Sequence, residues 1–263
     1  MLKAVKEEEK FKDSHILEGI VSVSAVIKAR ESGENTRKIE CVMYDGARAK
    51  SKAREIAFLK RKSAEHGFTL VESNAEQIDS MTIGNTHGGI IALCSEREFL
   101  KITKDYIKQN GFYVMLEGIE DPYNFGYALR SIYAAGADGI LLSERNWMSA
   151  AGVVARSSAG ASELCDVRIG DPIEIINLFK ECGYSVYAAD KTEGSISVYD
   201  TDVSFPCLLL VGGEKRGLTR VALDNSDKII HLDYGRDFPA ALSAASAASI
   251  IAFEIFRQNR RKQ

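Results

Sequence analysis

Polar side chains collect at two places in this 263-residue chain. Asp121, Asn124 and Arg130 follow the apolar run FYVML (112–116), and Glu214 sits in GGEKRG (212–217), directly after the apolar run CLLLV (207–211). A polar loop that follows a buried strand lies at the strand's carboxyl end, where open α/β sheets bind their ligands. The second loop has the G-x-x-x-x-G spacing of a phosphate cradle, but Leu218 stands where that cradle needs lysine. No G-x-G-x-x-G follows any expected strand, so both triphosphate and dinucleotide chemistry are argued against. The glycines do offer bare backbone: at Gly212, Gly213 and Gly217, N–H and C=O groups can meet a ligand's edge. Glu214 among them disfavours phosphate and suits a hydroxyl or an amine. A third stretch, AALSAASAAS (240–249), has almost no side-chain bulk. It reads either as a tightly packed face, a subunit interface included, or as a surface on which a ligand lies.

Alternating strands and helices must position these groups. Strand 112–116, loop 117–126, a helical segment (Ala128, Leu129, Ile132, Tyr133, Ala135) stopped by Gly136, and strand 140–142 make a parallel βαβ unit. Beyond it the pattern predicts a short helix at 149–155, a close-packing segment SSAGA (157–161), a strand at 164–167 and a helix at 172–182 opened by Pro172. Strands at 184–189, 207–211 and 228–232, a short helix at 219–225 and a long last helix at 240–258 complete that half; the basic tail 257–263 reads as frayed. Ahead of it, Asp13–Ser14 caps a short helix, and the pattern predicts a helix at 17–29 weakened by Gly19. A helix at 51–66 capped by Ser51, a helix at 76–81, and strands at 39–44, 68–71 and 89–94 follow. The charged stretch 96–110, with Arg97, Lys101, Lys104 and Lys108 on an expected helix, reads as a connector. The chain is thus α/β, with a small domain and connector at 1–108 and a larger domain at 109–263.

A hydrophobic fraction of 45% supports a substantial core, and a net charge of −3 gives no global sign of nucleic-acid binding. Any basic surface must be local. One run qualifies: Arg48, Lys50, Lys52, Arg54, Lys60, Arg61 and Lys62, broken only by Glu55, are either a solvated helix face or a phosphate-contacting patch. Thr86-His87-Gly88-Gly89 reads as a tight turn with a structural histidine. The five cysteines lack zinc or redox spacing, which fits buried thiols in a reducing cytoplasm and no metal. The charged start MLKAVKEEEKF is no secretory signal, and no apolar run is long enough for a bilayer.

DPYNFGYALRSIYAAGADGI resembles the first motif of the SpoU (TrmH-like) branch of the SPOUT methyltransferases, Asp-Pro-x-Asn-x-Gly-x-x-x-Arg. LLLVGGEKRGLTR is similar to the second motif, SSAGA to a segment between them, and the last helix, ending at Phe253-Glu254, is placed like the third. Residues 1 to about 105 resemble the ribosomal-protein-L30e-like RNA-binding domain that often precedes the catalytic one. The resemblance implies a trefoil knot in the larger domain, S-adenosylmethionine bent within it, and an active site formed by a homodimer. By motif position the cofactor contacts would be Gly212, Gly213, Gly217, Ile230, Leu232 and Leu242. Asn124, Arg130, Glu214 and Ser243 would serve catalysis, and Arg48, Lys50, Lys52 and Arg54 would touch RNA.

The implied activity is methyl transfer to a ribose 2′-hydroxyl, foremost in ribosomal RNA. Alternatives are a transfer RNA or base methyltransferase, or a catalytically silent RNA-binding protein. A guanidinium, with its pKa above about 12, is suited to stabilise an alkoxide rather than to act as base. Where the third motif usually reads Ser-Leu-Asn-Val-Ser, this chain has Ala241-Leu242-Ser243-Ala244-Ala245. The usual Ile-Pro-Met before it is Ile230-His231-Leu232, and the loop with Arg236 and Asp237 is longer than usual.

Overall fold

A computed structural model describes residues 15–33, 35–82, 86–143 and 150–260. The cap at Asp13–Ser14, the start of the helix expected from Ser149 and the tail beyond 260 lie outside them. The chain divides into two compact units, one Met1–Glu98 with Trp147–Leu164, the other Phe99–Asn146 with Cys165–Gln263.

The first unit is built on a four-stranded sheet. Its strands are β1 (Ile16–Glu18), β2 (Ile39–Asp45), β3 (Thr69–Ser73) and β4 (Ile90–Cys94), in the order β1-β4-β2-β3. Apolar residues of the sheet and of the helices Gly19–Ser32 and Ala53–His66 form one core, with Leu17, Val26, Val42 and Leu59 fully buried. The helix expected at 17–29 begins later, because Ile16–Glu18 pairs antiparallel with Ile91–Leu93. Gly19, at φ +83°, makes the bend from strand to helix rather than weakening a helix interior. Ser51 does not cap the next helix: its hydroxyl donates to the Arg48 carbonyl at 2.9 Å, and Lys52 holds the cap position without a side-chain bond. His87 is structural, its ring 3.0 Å from Asp79 and accepting from the Gly89 N–H at 3.1 Å.

The segment after 149 packs within this unit, as helices Ala151–Ser157 and Ala161–Leu164. Leu164 therefore ends a helix, and the strand expected at 164–167 is displaced to Val167–Ile169. A Cβ at Gly160 would meet the Cβ of Ala25, so SSAGA does pack closely. Glu163, fully buried, pairs with Arg37 at 3.1 Å and accepts from Asn35 at 2.7 Å.

The second unit holds an eight-stranded, wholly parallel sheet. Its strands are β5 (Leu100–Lys101), β6 (Phe112–Glu117), β7 (Gly139–Leu142), β8 (Val167–Ile169), β9 (Ser185–Ala189), β10 (Ile196–Ser197), β11 (Cys207–Gly212) and β12 (Lys228–His231). The order is β10-β12-β9-β11-β6-β7-β8-β5. The chain leaves β6 toward β7 and β8, then fills the other side with β9, β11 and β12. Progress across the sheet reverses at the β6–β11 pair, and such a switch point opens a crevice at the carboxyl ends. Strand β6 is buried along its length and β11 at all but its last residue, Gly212, which is why they read as unbroken apolar runs.

Three expectations fail here. The stretch 96–110 is not a helix: Leu100–Lys101 adds a strand beside Arg168–Ile169, and only a short turn of 3₁₀ helix follows at Lys104–Tyr106. The loop expected at 117–126 is shorter, because the helix Pro122–Ala134 starts at once, with the Asp121 carboxylate accepting from the Tyr123 N–H at 2.7 Å. The last helix is Ala244–Asn259, starting four residues late because Ser243 caps it. Among the described residues no helix is long and apolar enough to cross a membrane.

Candidate active site

Parallel strands of a switch-point sheet end on one edge, and the loops after β9, β11 and β12 enclose a cavity of about 210 Å³ there. All six residues expected to hold a cofactor line it: Gly212, Gly213, Gly217, Ile230, Leu232 and Leu242. Its far wall is the small-residue start of the last helix, including Ala244 and Ala247.

Glycine is required at this turn for steric reasons. A Cβ at Gly213 would collide with the Gly118 carbonyl, and one at Gly212 with the backbone of Gly217 and Leu218. The strand can then pass directly beside the loop after β6, with the Gly213 N–H donating to the Glu117 carbonyl at 2.7 Å. Gly217 turns back at φ +63°, and its N–H closes on the Gly213 carbonyl at 2.9 Å. At Gly217 the nearest group to an added Cβ is the Asp190 carboxylate at 3.9 Å, so a side chain there would take cavity space. Leu218, in place of a P-loop lysine, is buried in the core of this unit.

The polar residues separate. Glu214 Oε1 accepts from the Asn124 amide at 2.9 Å and from the Ala244 N–H at 3.1 Å, joining the helix Pro122–Ala134, the glycine turn and the last helix. Ser243 is occupied as a cap: its Oγ accepts from the Ser246 N–H at 3.2 Å and donates to the Ser246 hydroxyl at 3.0 Å. Arg130 does not line the cavity. It is exposed, without an ion-pair partner among the described residues, on the helix face that also carries the exposed Tyr123, Tyr127 and Tyr133.

Sequence reasoning missed Asp190, Lys191, His231 and Tyr234, all of which line the cavity. Asp190 and Lys191 directly follow the strand at Ser185–Ala189, so the carboxyl-end rule was the available signal. His231 lies between the Ser195 hydroxyl, 3.0 Å from Nδ1, and Asp233, 3.3 Å from Nε2. The Ser197 hydroxyl first, and His231 after it, hold the Asp233 carboxyl below the usual carboxylate range.

In the first unit, the basic run is partly neutralised. Arg48 pairs with Asp45, Lys52 with Glu55, and Lys62 with Glu31 and Glu65. Lys50 and Arg54 are exposed and have no ion-pair partner among the described residues. Glu31, Glu65 and His66 bring three possible metal-ligand atoms together, but the Lys62 ammonium already bridges the two carboxylates at 2.6 and 2.5 Å.

The fold is that of known α/β methyltransferases. A crystal structure of an RNA 2′-O ribose methyltransferase superposes with a TM-score of 0.75 at 19% identity, over 92% of this chain and 88% of that one. The AdoMet-bound rRNA methyltransferase of Sinorhizobium meliloti gives 0.73 at 23%, over 92% and 87%. YacO of Bacillus subtilis (strain 168), assigned to the TrmH family of tRNA/rRNA methyltransferases, is 26% identical over 245 residues, 91% of this chain and 95% of that protein. Residues 111–253 match the SpoU rRNA Methylase family, and the chain belongs to that family of RNA methylases.

Proposed function

We propose that the chain transfers a methyl group from S-adenosylmethionine to a ribose 2′-hydroxyl of RNA, in ribosomal RNA foremost, and that it does so in the cytoplasm as a homodimer. The carrying observation is the cavity at the carboxyl ends of β9, β11 and β12, with the Asn124–Glu214–Ala244 bridge at its edge. Its residues suit that cofactor. A wall without side chains at Gly212, Gly213 and Gly217, the apolar residues Ile230, Leu232 and Leu242, and the carboxylates Asp190 and Glu214 match a molecule with an apolar body and cationic groups. The S. meliloti neighbour is described as AdoMet-bound, which supports the same reading.

S-adenosylmethionine supplies an electrophilic sulfonium methyl, so the protein's work is to orient the acceptor hydroxyl and offset charge on its oxygen. Arg130 takes that role by its guanidinium, while Asn124 and Glu214 hold the neighbouring loops in register. Because Arg130 lies outside the cavity of its own chain, a second copy completes the site. The exposed aromatic face bearing Arg130, together with Ile250, Phe253 and Phe256 exposed on one side of the last helix, supports such a dimer.

The trefoil knot, and an L30e-like character for the first unit, belong to the same proposal. Functionally, 1–108 would recognise RNA through Arg48, Lys50, Lys52 and Arg54, and 109–263 would transfer the methyl group. The test is incubation of the protein with RNA and labelled cofactor, followed by nuclease mapping. Label on a ribose oxygen supports the reading; label on a base, or only in transfer RNA, redirects it. One observation favours a silent RNA-binding protein instead: the Ser243 hydroxyl, at the position of the motif's asparagine, is used as a helix cap. Calorimetry with S-adenosylmethionine separates the two, since a silent protein shows no binding.

A further inference from the structure

The loop 233–239, between β12 and the last helix, carries an aromatic pair that the cavity itself does not require. Phe238 is 53% exposed, and its ring leans on that of Tyr234 with centroids 6.3 Å apart. Tyr234 is fastened: its hydroxyl accepts from the Leu242 N–H at 3.1 Å, and the Lys191 ammonium lies 5.3 Å from its ring centroid. Tyr234 lines the cavity, so Phe238 stands one ring away from it. An aromatic side chain left half in water, but anchored by a held neighbour, offers a face to a planar ligand.

Charge does not define this spot. Arg236 and Asp237 are adjacent and opposite in sign, and Asp233 is engaged by Ser197 and His231. A phosphate-binding surface would show an excess of cations; this one shows rings with balanced charge. Unpaired nucleotides are recognised by stacking on such rings. We propose that Phe238, backed by Tyr234, is a stacking platform for an unpaired nucleobase of the RNA substrate. The inference rests on the RNA methyltransferase reading and adds the partner that the loop receives.

The test is fluorescence anisotropy with a mixed-sequence single-stranded RNA and with the same strand annealed into a duplex, alongside calorimetry with S-adenosylmethionine. Phe238→Ala is expected to weaken single-strand binding about 5- to 150-fold, the scale of one lost base–aromatic stack. Phe238→Trp restores it, cofactor affinity does not move, and the salt dependence of RNA binding keeps its slope because no phosphate contact is lost. The proposal is overturned if wild type does not bind the single strand, or if Phe238→Ala leaves its affinity unchanged or weakens the duplex equally. It is also overturned if Phe238→Leu restores binding as well as Trp does, or if cofactor affinity falls instead, which would make the loop a cover for the cavity. Failure of wild type to bind S-adenosylmethionine would sink the methyltransferase reading while leaving the RNA measurements readable.

Discussion

Asn124 and Glu214 are 90 residues apart in the chain, and their side chains meet at 2.9 Å. The same Glu214 oxygen accepts from Ala244 at 3.1 Å, so one carboxylate sets the spacing of three segments around the cavity. Glu214→Ala removes both bonds and is expected to weaken S-adenosylmethionine binding about tenfold, the lower end of what charge-assisted hydrogen bonds contribute. Glu214→Gln, which keeps an acceptor, should lose less. Calorimetry measures both, and equal affinities in wild type and Glu214→Ala would remove the bridge from the account.

The glycine turn gives a sharper contrast. Gly213→Ala would drive a methyl group into the Gly118 carbonyl, whereas at Gly235 an added Cβ meets nothing within 4 Å. Gly213→Ala should therefore cost several kcal/mol, on the order of 4, or prevent folding, while Gly235→Ala stays within about 0.5 kcal/mol of wild type. Thermal denaturation of the two variants decides it. A Gly213→Ala protein as stable as the Gly235→Ala one would mean the strand and loop do not pass that closely.

Glu163 and Arg37 form a pair with side chains almost fully removed from water. Glu163→Gln takes from the buried Arg37 guanidinium the carboxylate 3.1 Å away, which offsets its charge, and is expected to destabilise the first unit by about 3 kcal/mol. Replacing both at once, Glu163→Leu with Arg37→Met, should cost less than the single change, because the buried guanidinium leaves together with its carboxylate. A double-mutant cycle by urea denaturation reads this, and a double variant worse than the single would contradict it.

Much of this was legible in the sequence because buried parallel strands announce themselves. FYVML and CLLLV could hardly be anything but central strands, and both lie in the middle of the sheet. The glycines after β11 marked a place without room for side chains, and at Gly212 and Gly213 the reason is the close approach of other backbone segments. What failed was set by tertiary contacts. Nothing local distinguishes Leu100–Lys101 as a strand, since two residues become one only by meeting Arg168–Ile169. Ala240–Leu242 has good helix propensity, yet stays outside the helix because Ser243 supplies the cap and Tyr234 takes the Leu242 N–H. Asp190 and Lys191 follow β9, while His231 ends β12 and Tyr234 lies just beyond it, and these two strand ends converge only once the strand order is known.

Glu254 gives a pH dependence with a definite sign. The Arg257 guanidinium, then the Gln258 amide, hold its carboxyl below the usual range. A depressed folded-state pKa contributes stability that is complete above the unfolded value, about 4.3, and is lost as pH falls through the lowered value. Wild type should therefore be more stable than Glu254→Gln at pH 6 to 7, and the difference should shrink below about pH 4. Urea denaturation at several pH values checks this; a gap that widens in acid would reverse the sign.

The central claim is that this chain methylates RNA with Arg130 beside the acceptor oxygen, and the direct measurement is single-turnover transfer of labelled methyl to RNA by wild type and Arg130→Ala. Wild type is expected to place label on a ribose 2′-oxygen, and Arg130→Ala to be slower by about 100-fold or more with cofactor affinity unchanged, the scale seen when one charge-stabilising donor is removed. Transfer by Arg130→Ala at the wild-type rate would contradict the account.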